Sequence, residues 1–463
     1  MIPVITRSSQ HINVFGLGAS GRAAAHALVA GGAVVSAWDD DAKSRKNLIY
    51  DNTNISLKNP LSEDFSGIDA LLLSPGIPLT LPAPHPVVTM MRDAGIPIIG
   101  DIELLVENAT KATLIGVTGT NGKSTTSALI HHVLQIAKVP VQIGGNFGPP
   151  VLGLEPVCED DTIVLELSSY QLDLTENAAF DFAVFLNITP DHLDRHGNIE
   201  GYVSAKKQIF RQSPKRHQIA IIGIDDSHGQ AIYAELTTNP AWKVVPISTV
   251  QNLDDGIYIR DGVLYDTENH EYNLNGIDSL RGQHNWQNAA AAWAVARGCN
   301  IPGDVIASAF KTFTGLPHRL ENVGDFGGVR YINDSKATNG EASARALSSY
   351  TNIFWIAGGI AKEDGLNATF SYLDRVRHVF LIGEAADPFA TTLGGRGIPF
   401  TKSGNLNLAL EHARNAATAD PKGMPVVLLS PACASFDQYL NFADRGDHFR
   451  DLVEMMVGEE NTE

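Results

Sequence analysis

The chain has 463 residues, of which 44% are hydrophobic and 19% charged, and a formal net charge of −18. Length gives a prior of about three domains, each able to bury its own core, and the composition is that of a globular protein. So acidic a balance, with no lysine- or arginine-rich run, excludes nucleic acid as an expected partner.

Met1 to Arg7 lacks the apolar core of a signal peptide, and the alanine-rich run Ala289 to Ala296 is too short to span a bilayer. A cytoplasmic protein without membrane insertion is expected. Cys158, Cys299 and Cys433 are odd in number and far apart, which fits a reducing compartment and implies neither a disulfide framework nor a metal spacing.

His11 to Gly16 reads as a strand, Gly16-Leu17-Gly18-Ala19-Ser20-Gly21 as a tight turn, and Ala23 to Ala30 as a helix. A second strand, Ala33 to Trp38, ends in Asp39-Asp40-Asp41. Glycines directly after a strand, with acids about twenty residues later, form a Rossmann fingerprint. The same turn can serve packing alone, and the pattern does not separate NAD from another nucleotide. Asp69 to Leu73, followed by Ser74-Pro75-Gly76-Ile77-Pro78, predicts a later strand whose loop overlooks the same crevice. Residues 1–101 are expected to form one domain.

A second domain is expected over residues 102–315, organised around Ala112 to Thr125. There a short apolar strand meets Gly116-Val117-Thr118-Gly119-Thr120-Asn121-Gly122-Lys123-Ser124-Thr125 and then a helix to about Ala137. Loop N–H groups and a helix N-terminus suit phosphates, Lys123 supplies positive charge, and Ser124 is placed for Mg²⁺. Val117 stands where the strict pattern has its first glycine. The context of strand, glycines and helix still points to ATP. Gly144 to Gly148 is a second glycine loop, fit for a close backbone approach or for a plain turn. The strand from Thr162 ends in Glu166, an acid at the carboxyl edge of a sheet, where it needs either a cation partner or Mg²⁺.

Phe182 to Leu186 is a further strand, expected beside that of Glu166, and His192 follows it either as a surface residue or as a ligand. Lys206 and Lys207 lie on the next helix, where a lysine is ordinarily a solvated charge. Residues 219–281 read as short strands and turns forming a hairpin-like insertion. Asn285 and Asn288, three apart on one helical face, suggest hydrogen bonds to a base or ribose. Gly315-Leu316-Pro317-His318-Arg319 breaks the pattern as a hinge, and residues 316–463 are expected to form a third α/β domain. Its strands, near 329–333, 353–357, 378–382 and 425–429, carry polar loops at 333–339, 358–362 and 430–435 that should converge on one crevice.

The order Gly119 to Ser124, Glu166-Leu167-Ser168-Ser169, Asn187 to Asp194, His284 to Ala289 and Asn333 to Thr338 resembles the Mur ligase family over essentially the whole chain. The resemblance implies a three-domain α/β enzyme: a Rossmann-like first domain, a central P-loop ATPase-type domain and a Rossmann-like last domain that closes over ATP. It implies an ATP-dependent ligase, expected as a monomer, that adds D-glutamate to UDP-N-acetylmuramoyl-L-alanine through an acyl phosphate in peptidoglycan precursor synthesis. The first domain would then hold the UDP of the sugar substrate, through Ala19, Ser20, Asp39, Asp40, Gly76 and Asn146.

ATP would be held by Gly119, Thr120, Asn121, Gly122, Lys123, Ser124, Thr125, Asn285, Asn288, Arg319, Asp334 and Lys336. Two Mg²⁺ sites would draw on Ser124, Glu166, His192 and a carbamylated Lys206, and catalysis on Lys123, Glu166, His192, Lys206 and Arg319. Lys336, Thr338, Lys362, Ser435, Phe436 and Phe442 would surround D-glutamate, whose carboxylates suit ammonium and hydroxyl groups. Ile360 departs from the pattern, since an acid can stand there. An NAD-dependent oxidoreductase leaves the phosphate loop unexplained. A nucleotide-driven switch or motor leaves the first glycine turn and the C-terminal loops idle. Another amide ligase of the same superfamily is the closer alternative.

Overall fold

The computed structural model describes residues 1–51, 54–62, 66–214, 217–268, 270–420 and 423–460. The chain forms two compact units, Met1–Asn275 with Trp286–Lys311, and Gly276–Asn285 with Thr312–Glu463. Among the described residues the fold is α/β with three large, mostly parallel sheets.

The first unit holds two of these sheets. The smaller consists of β1 (His11–Phe15), β2 (Val34–Trp38), β3 (Ile55–Leu57), β4 (Ala70–Leu73) and β5 (Ile98–Ile99), in the order β3-β2-β1-β4-β5, all parallel. Chain order reverses between β1 and β4, so the turns after these two strands face a common crevice, the usual ligand position in open α/β sheets. The Ser74 hydroxyl donates to the Gly16 carbonyl at 2.6 Å and joins the two turns.

The larger sheet consists of β6 (Thr113–Thr118), β7 (Val141–Gly145), β8 (Thr162–Glu166), β9 (Phe182–Phe185), β10 (Gln218–Gly223), β11 (Trp242–Ser248), β12 (Ile257–Arg260), β13 (Val263–Tyr265) and β14 (Glu271–Asn273). Its order is β14-β13-β12-β11-β10-β9-β6-β8-β7. Strands β6, β8 and β9 are almost wholly buried apolar runs, as parallel strands covered on both faces must be. One hydrophobic core runs from Val14 and Leu28 in the smaller sheet's layers to Leu114 and Leu165 in the larger.

Two expectations are corrected here. The strand of His192 does not adjoin that of Glu166, because β6 lies between β9 and β8. Nor are residues 219–281 a hairpin insertion throughout. Strands β10 and β11 are parallel and joined by a helix, Ser227–Thr237, so they extend the sheet, and only β12 to β14 form an antiparallel meander.

The second unit is built on β15 (Glu321–Phe326), β16 (Val329–Asn333), β17 (Ile353–Gly358), β18 (Ile360–Ala361), β19 (Val376–Ile382), β20 (Phe400–Gly404), β21 (Val426–Leu429) and β22 (Cys433–Ala434). Its main sheet runs β15-β16-β21-β17-β19-β20, with β15 antiparallel and the others parallel. Strands β16, β21 and β17 are therefore neighbours, and the loops after them emerge side by side. The short pair β18–β22 ties two of these loops together, with Ile360 opposite Ala434.

Candidate active site

The phosphate loop sits where chain order reverses between β6 and β9. Gly119 has φ of 147° and Gly122 φ of 85°, values that a side chain makes strained. A Cβ on Gly122 would also lie 2.2 Å from Asn288 Oδ1. Asn187, just past β9, fixes the loop: its carbonyl accepts from Thr120 N at 2.9 Å and its Oδ1 from Asn121 N at 3.0 Å. Gln287 in turn accepts from Asn187 Nδ2 at 2.7 Å. The helix Lys123–Ile136 follows, so its first N–H groups and positive dipole end lie directly behind the glycines.

Lys123 Nζ donates to the carbonyls of Gly119 and Thr120 at 2.9 and 2.8 Å. Lys206 Nζ also donates to Gly119 O, at 2.9 Å, and to Thr118 Oγ1 at 3.3 Å. The reading of Lys206 as a solvated charge fails, because the residue is only 1% exposed. Burial, reinforced by the nearby Lys123 ammonium, lowers its pKa well below the ordinary lysine value. Burial of this kind disfavours the ammonium form and eases loss of its proton.

Glu166 ends β8 and is buried. Asn146 donates to its Oε1 at 2.8 Å, while Oε2 is buried with no hydrogen-bond partner among the described residues. A bare carboxylate oxygen of this kind, close to the phosphate loop, fits a hard cation. Asn146, expected among the UDP contacts, thus lies against Glu166. His192 follows β9 in the left-handed region, φ 53°, with its side chain half-exposed and its Nδ1 2.9 Å from the Tyr170 hydroxyl. Ser124 is buried in the first turn of the phosphate-loop helix, and Thr125 follows it.

In the crevice of the smaller sheet Ala19 is exposed and Ser20 half-buried, at the start of the helix Ala19–Ala30. Asp39 accepts from the Leu17 and Asp41 N–H groups at 2.6 and 2.8 Å. Asp40 lies 3.0 Å from the His85 ring, and Gly76 is exposed on the loop after β4.

The second unit brings its three polar loops together. Asp334 Oδ2 accepts from Ser430 Oγ at 2.7 Å and its Oδ1 from Leu320 N at 3.2 Å, and burial pushes its carboxyl up to about 7. Lys336 Nζ lies 4.4 Å from the centre of the Phe442 ring, a cation–π contact. Buried Arg445 joins Ser335 O at 2.8 Å to Cys433 O at 3.1 Å, so one guanidinium staples two of the loops. Ser435 is buried, Thr338 and Arg319 are half-buried, and Lys362 and Phe436 are exposed. Asn285 and Asn288 share a helix but not their partners. Asn285 Nδ2 donates to Arg281 O at 3.0 Å, whereas Asn288 Oδ1 accepts from Thr126 Oγ1 at 3.1 Å.

Comparison with known proteins gives these contacts a context. Residues 117–296 match the Mur ligase middle domain. The UDP-N-acetylmuramoylalanine--D-glutamate ligase of Phenylobacterium zucineum is 45% identical, with 99% of this chain and 98% of that protein covered. The enzyme of the same name from Brucella abortus is 46% identical, with the same coverage of both chains. The chain belongs to the family of UDP-N-acetylmuramoylalanine--D-glutamate ligases. Its fold is that of the wider Mur ligases. The structure of UDP-N-acetylmuramate-alanine ligase MurC from Thermotoga maritima aligns over 96% of this chain and 99% of its own, with a TM-score of 0.57 at 15% identity.

Among the residues of this ligase site, some gave no sign of themselves in the sequence. Asn187 stands within a family motif and Tyr170 and Arg195 each directly follow one, yet their contacts depend on tertiary placement. Asp101 opens the helix Asp101–Asn108 and is buried, and burial pushes its carboxyl up to about 6 against the opposing pull of Ser20 and the Ile102 N–H. An aspartate at a helix N-terminus reads as ordinary capping, so only the fold reveals its burial. No helix among the described residues is long and apolar enough to cross a membrane.

Proposed function

We propose that this chain joins the L-alanine carboxylate of UDP-N-acetylmuramoyl-L-alanine to the amine of D-glutamate, using ATP, as a step of peptidoglycan precursor synthesis in the cytoplasm. Identity of 45% across 99% of the chain to a ligase of that name is the observation that carries the reading. In this account the residues that bind ATP are Gly119 to Thr125, Asn285, Asn288, Arg319, Asp334 and Lys336. The UDP moiety takes Ala19, Ser20, Asp39, Asp40 and Gly76, with Asn146 reaching the same substrate. D-Glutamate takes Lys336, Thr338, Lys362, Ser435, Phe436 and Phe442, and exposed Ile360 leaves the rim beside Lys362 apolar.

The alanine carboxylate oxygen attacks the γ-phosphorus and ADP departs, leaving an acyl phosphate. The neutral amine of D-glutamate then attacks the acyl carbon, and the tetrahedral adduct expels phosphate and loses a proton to form the amide. Lys123 and Arg319 offset charge on the transferring phosphoryl group, and His192 orients the amine. Ser124, Glu166, His192 and a carbamate on Lys206 would hold Mg²⁺, which when bound neutralises phosphate charge. The Lys206 amine suits this role: in its neutral form the nitrogen lone pair adds to CO₂, one proton leaves the adduct, and a neutral buried amine becomes a carbamate anion. The unpartnered Oε2 of Glu166 is the matching observation on the opposite flank of β6.

Phosphate release measured with UDP-N-acetylmuramoyl-L-alanine and ATP should depend strictly on D-glutamate. Equal turnover with L-glutamate or L-alanine would overturn the substrate assignment.

A further inference from the structure

Arg195 lies in the short helix Leu193–His196, directly after His192, and is 8% exposed. Its Nη2 donates to the carbonyls of Pro75, at 3.2 Å, and Ile77, the two residues flanking Gly76. On its other side the guanidinium carbon lies 4.9 Å from the centre of the Tyr170 ring, whose hydroxyl bonds His192 Nδ1.

Among the described residues no carboxylate is within ion-pair distance of this arginine, Asp173 and Asp194 act on it only from farther off, and its Nε is buried without a partner. Burying a cation among carbonyl dipoles is a poor way to add stability, since an apolar side chain would fill the space without desolvating a charge. What the guanidinium adds is geometry. One guanidinium nitrogen fixes two carbonyls on one loop while the same group lies over the tyrosine that sets the rotation of His192.

We propose that Arg195 is a positioning residue that locks the Pro75–Ile77 loop to the His192 turn. Occupancy of the UDP-sugar crevice and placement of His192 then become a single equilibrium. The inference rests on the reading above of Gly76 as a substrate contact and His192 as a group at the reacting end.

Calorimetric titration of UDP-N-acetylmuramoyl-L-alanine and, separately, of an ATP analogue tests it on wild type, Arg195→Met, Arg195→Lys and Tyr170→Phe. Arg195→Met should weaken sugar-nucleotide binding about tenfold, the scale of a lost charge-assisted pair of bonds, and leave ATP-analogue binding within about twofold. Arg195→Lys should recover part of that loss. Tyr170→Phe should keep sugar-nucleotide affinity while lowering kcat, because it frees His192 and leaves the loop held. If both arginine variants bind the sugar nucleotide like wild type, the proposal is overturned, as it is if ATP-analogue affinity falls in parallel. A wild-type protein that binds no sugar nucleotide would overturn the substrate reading itself, a separate result.

Discussion

Around the phosphate loop, two lysines, Lys123 and Lys206, crowd the Gly119 carbonyl, and one carboxylate oxygen of buried Glu166 has no hydrogen-bond partner among the described residues. In the loop cluster of the second unit, buried charge is answered locally: Asp334 by Ser430 and Leu320, and Arg445 by Ser335 and Cys433. The groups there that lie open, Lys362 and Phe436, stand at the rim. The first region is thus electrostatically incomplete and suited to charged ligands and ions. The second is a rigid scaffold that presents side chains. Loss of a charge should therefore cut activity without lowering stability in the first region, whereas in the second the loss of buried Asp334 should show in pH-dependent stability as well as in activity.

The largest effect is expected at Lys206. Lys206→Ala should lower turnover by roughly 10³-fold or more, with partial recovery in short carboxylic acids that replace the carbamate. Arginine serving as well as lysine would exclude the carbamate. Lys206→Met should be equally inactive yet more heat-stable than wild type near neutral pH. The sign follows from the depressed pKa: the unfolded chain binds a proton that the folded chain refuses. Wild-type stability should therefore rise with pH across the window from the lowered folded value toward the ordinary 10.5, and the methionine variant should lack that rise. Melting curves of both proteins across this range check it, and parallel curves would contradict it.

A smaller effect is expected at Asp334. Its folded pKa is raised to about 7 from 3.8, so the folded state keeps a proton that the unfolded state releases. That contribution is full below 3.8 and is lost as pH rises through about 7. Asp334→Asn should therefore gain melting temperature relative to wild type between about pH 5 and pH 8. Identical pH profiles for the two proteins would break the contrast between the regions.

Much of this was legible in the chain because parallel strands buried on both faces read as apolar runs. Strands β1, β6, β8, β9 and β16 stand out in that way, and glycine turns mark the carboxyl ends of β1 and β6. The edge strands β5 and β20 carry little signal, being short or half-covered. The parallel pair β10–β11 was obscured by the turn-rich meander that follows it. Glu166 announced itself as an acid closing an apolar run. Lys206 did not, because helical spacing cannot say which face a neighbouring loop will cover. Arg195 was hidden for a further reason, since the Pro75 carbonyl it binds lies 120 residues earlier in the chain.

The central chemical claim is that the sugar-linked carboxylate becomes a mixed anhydride with the γ-phosphate before the amide forms. Turnover of UDP-N-acetylmuramoyl-L-alanine labelled with ¹⁸O in its alanine carboxylate, with mass analysis of the liberated phosphate, tests it directly. One labelled oxygen should pass to each phosphate released; phosphate that carries none would contradict the account.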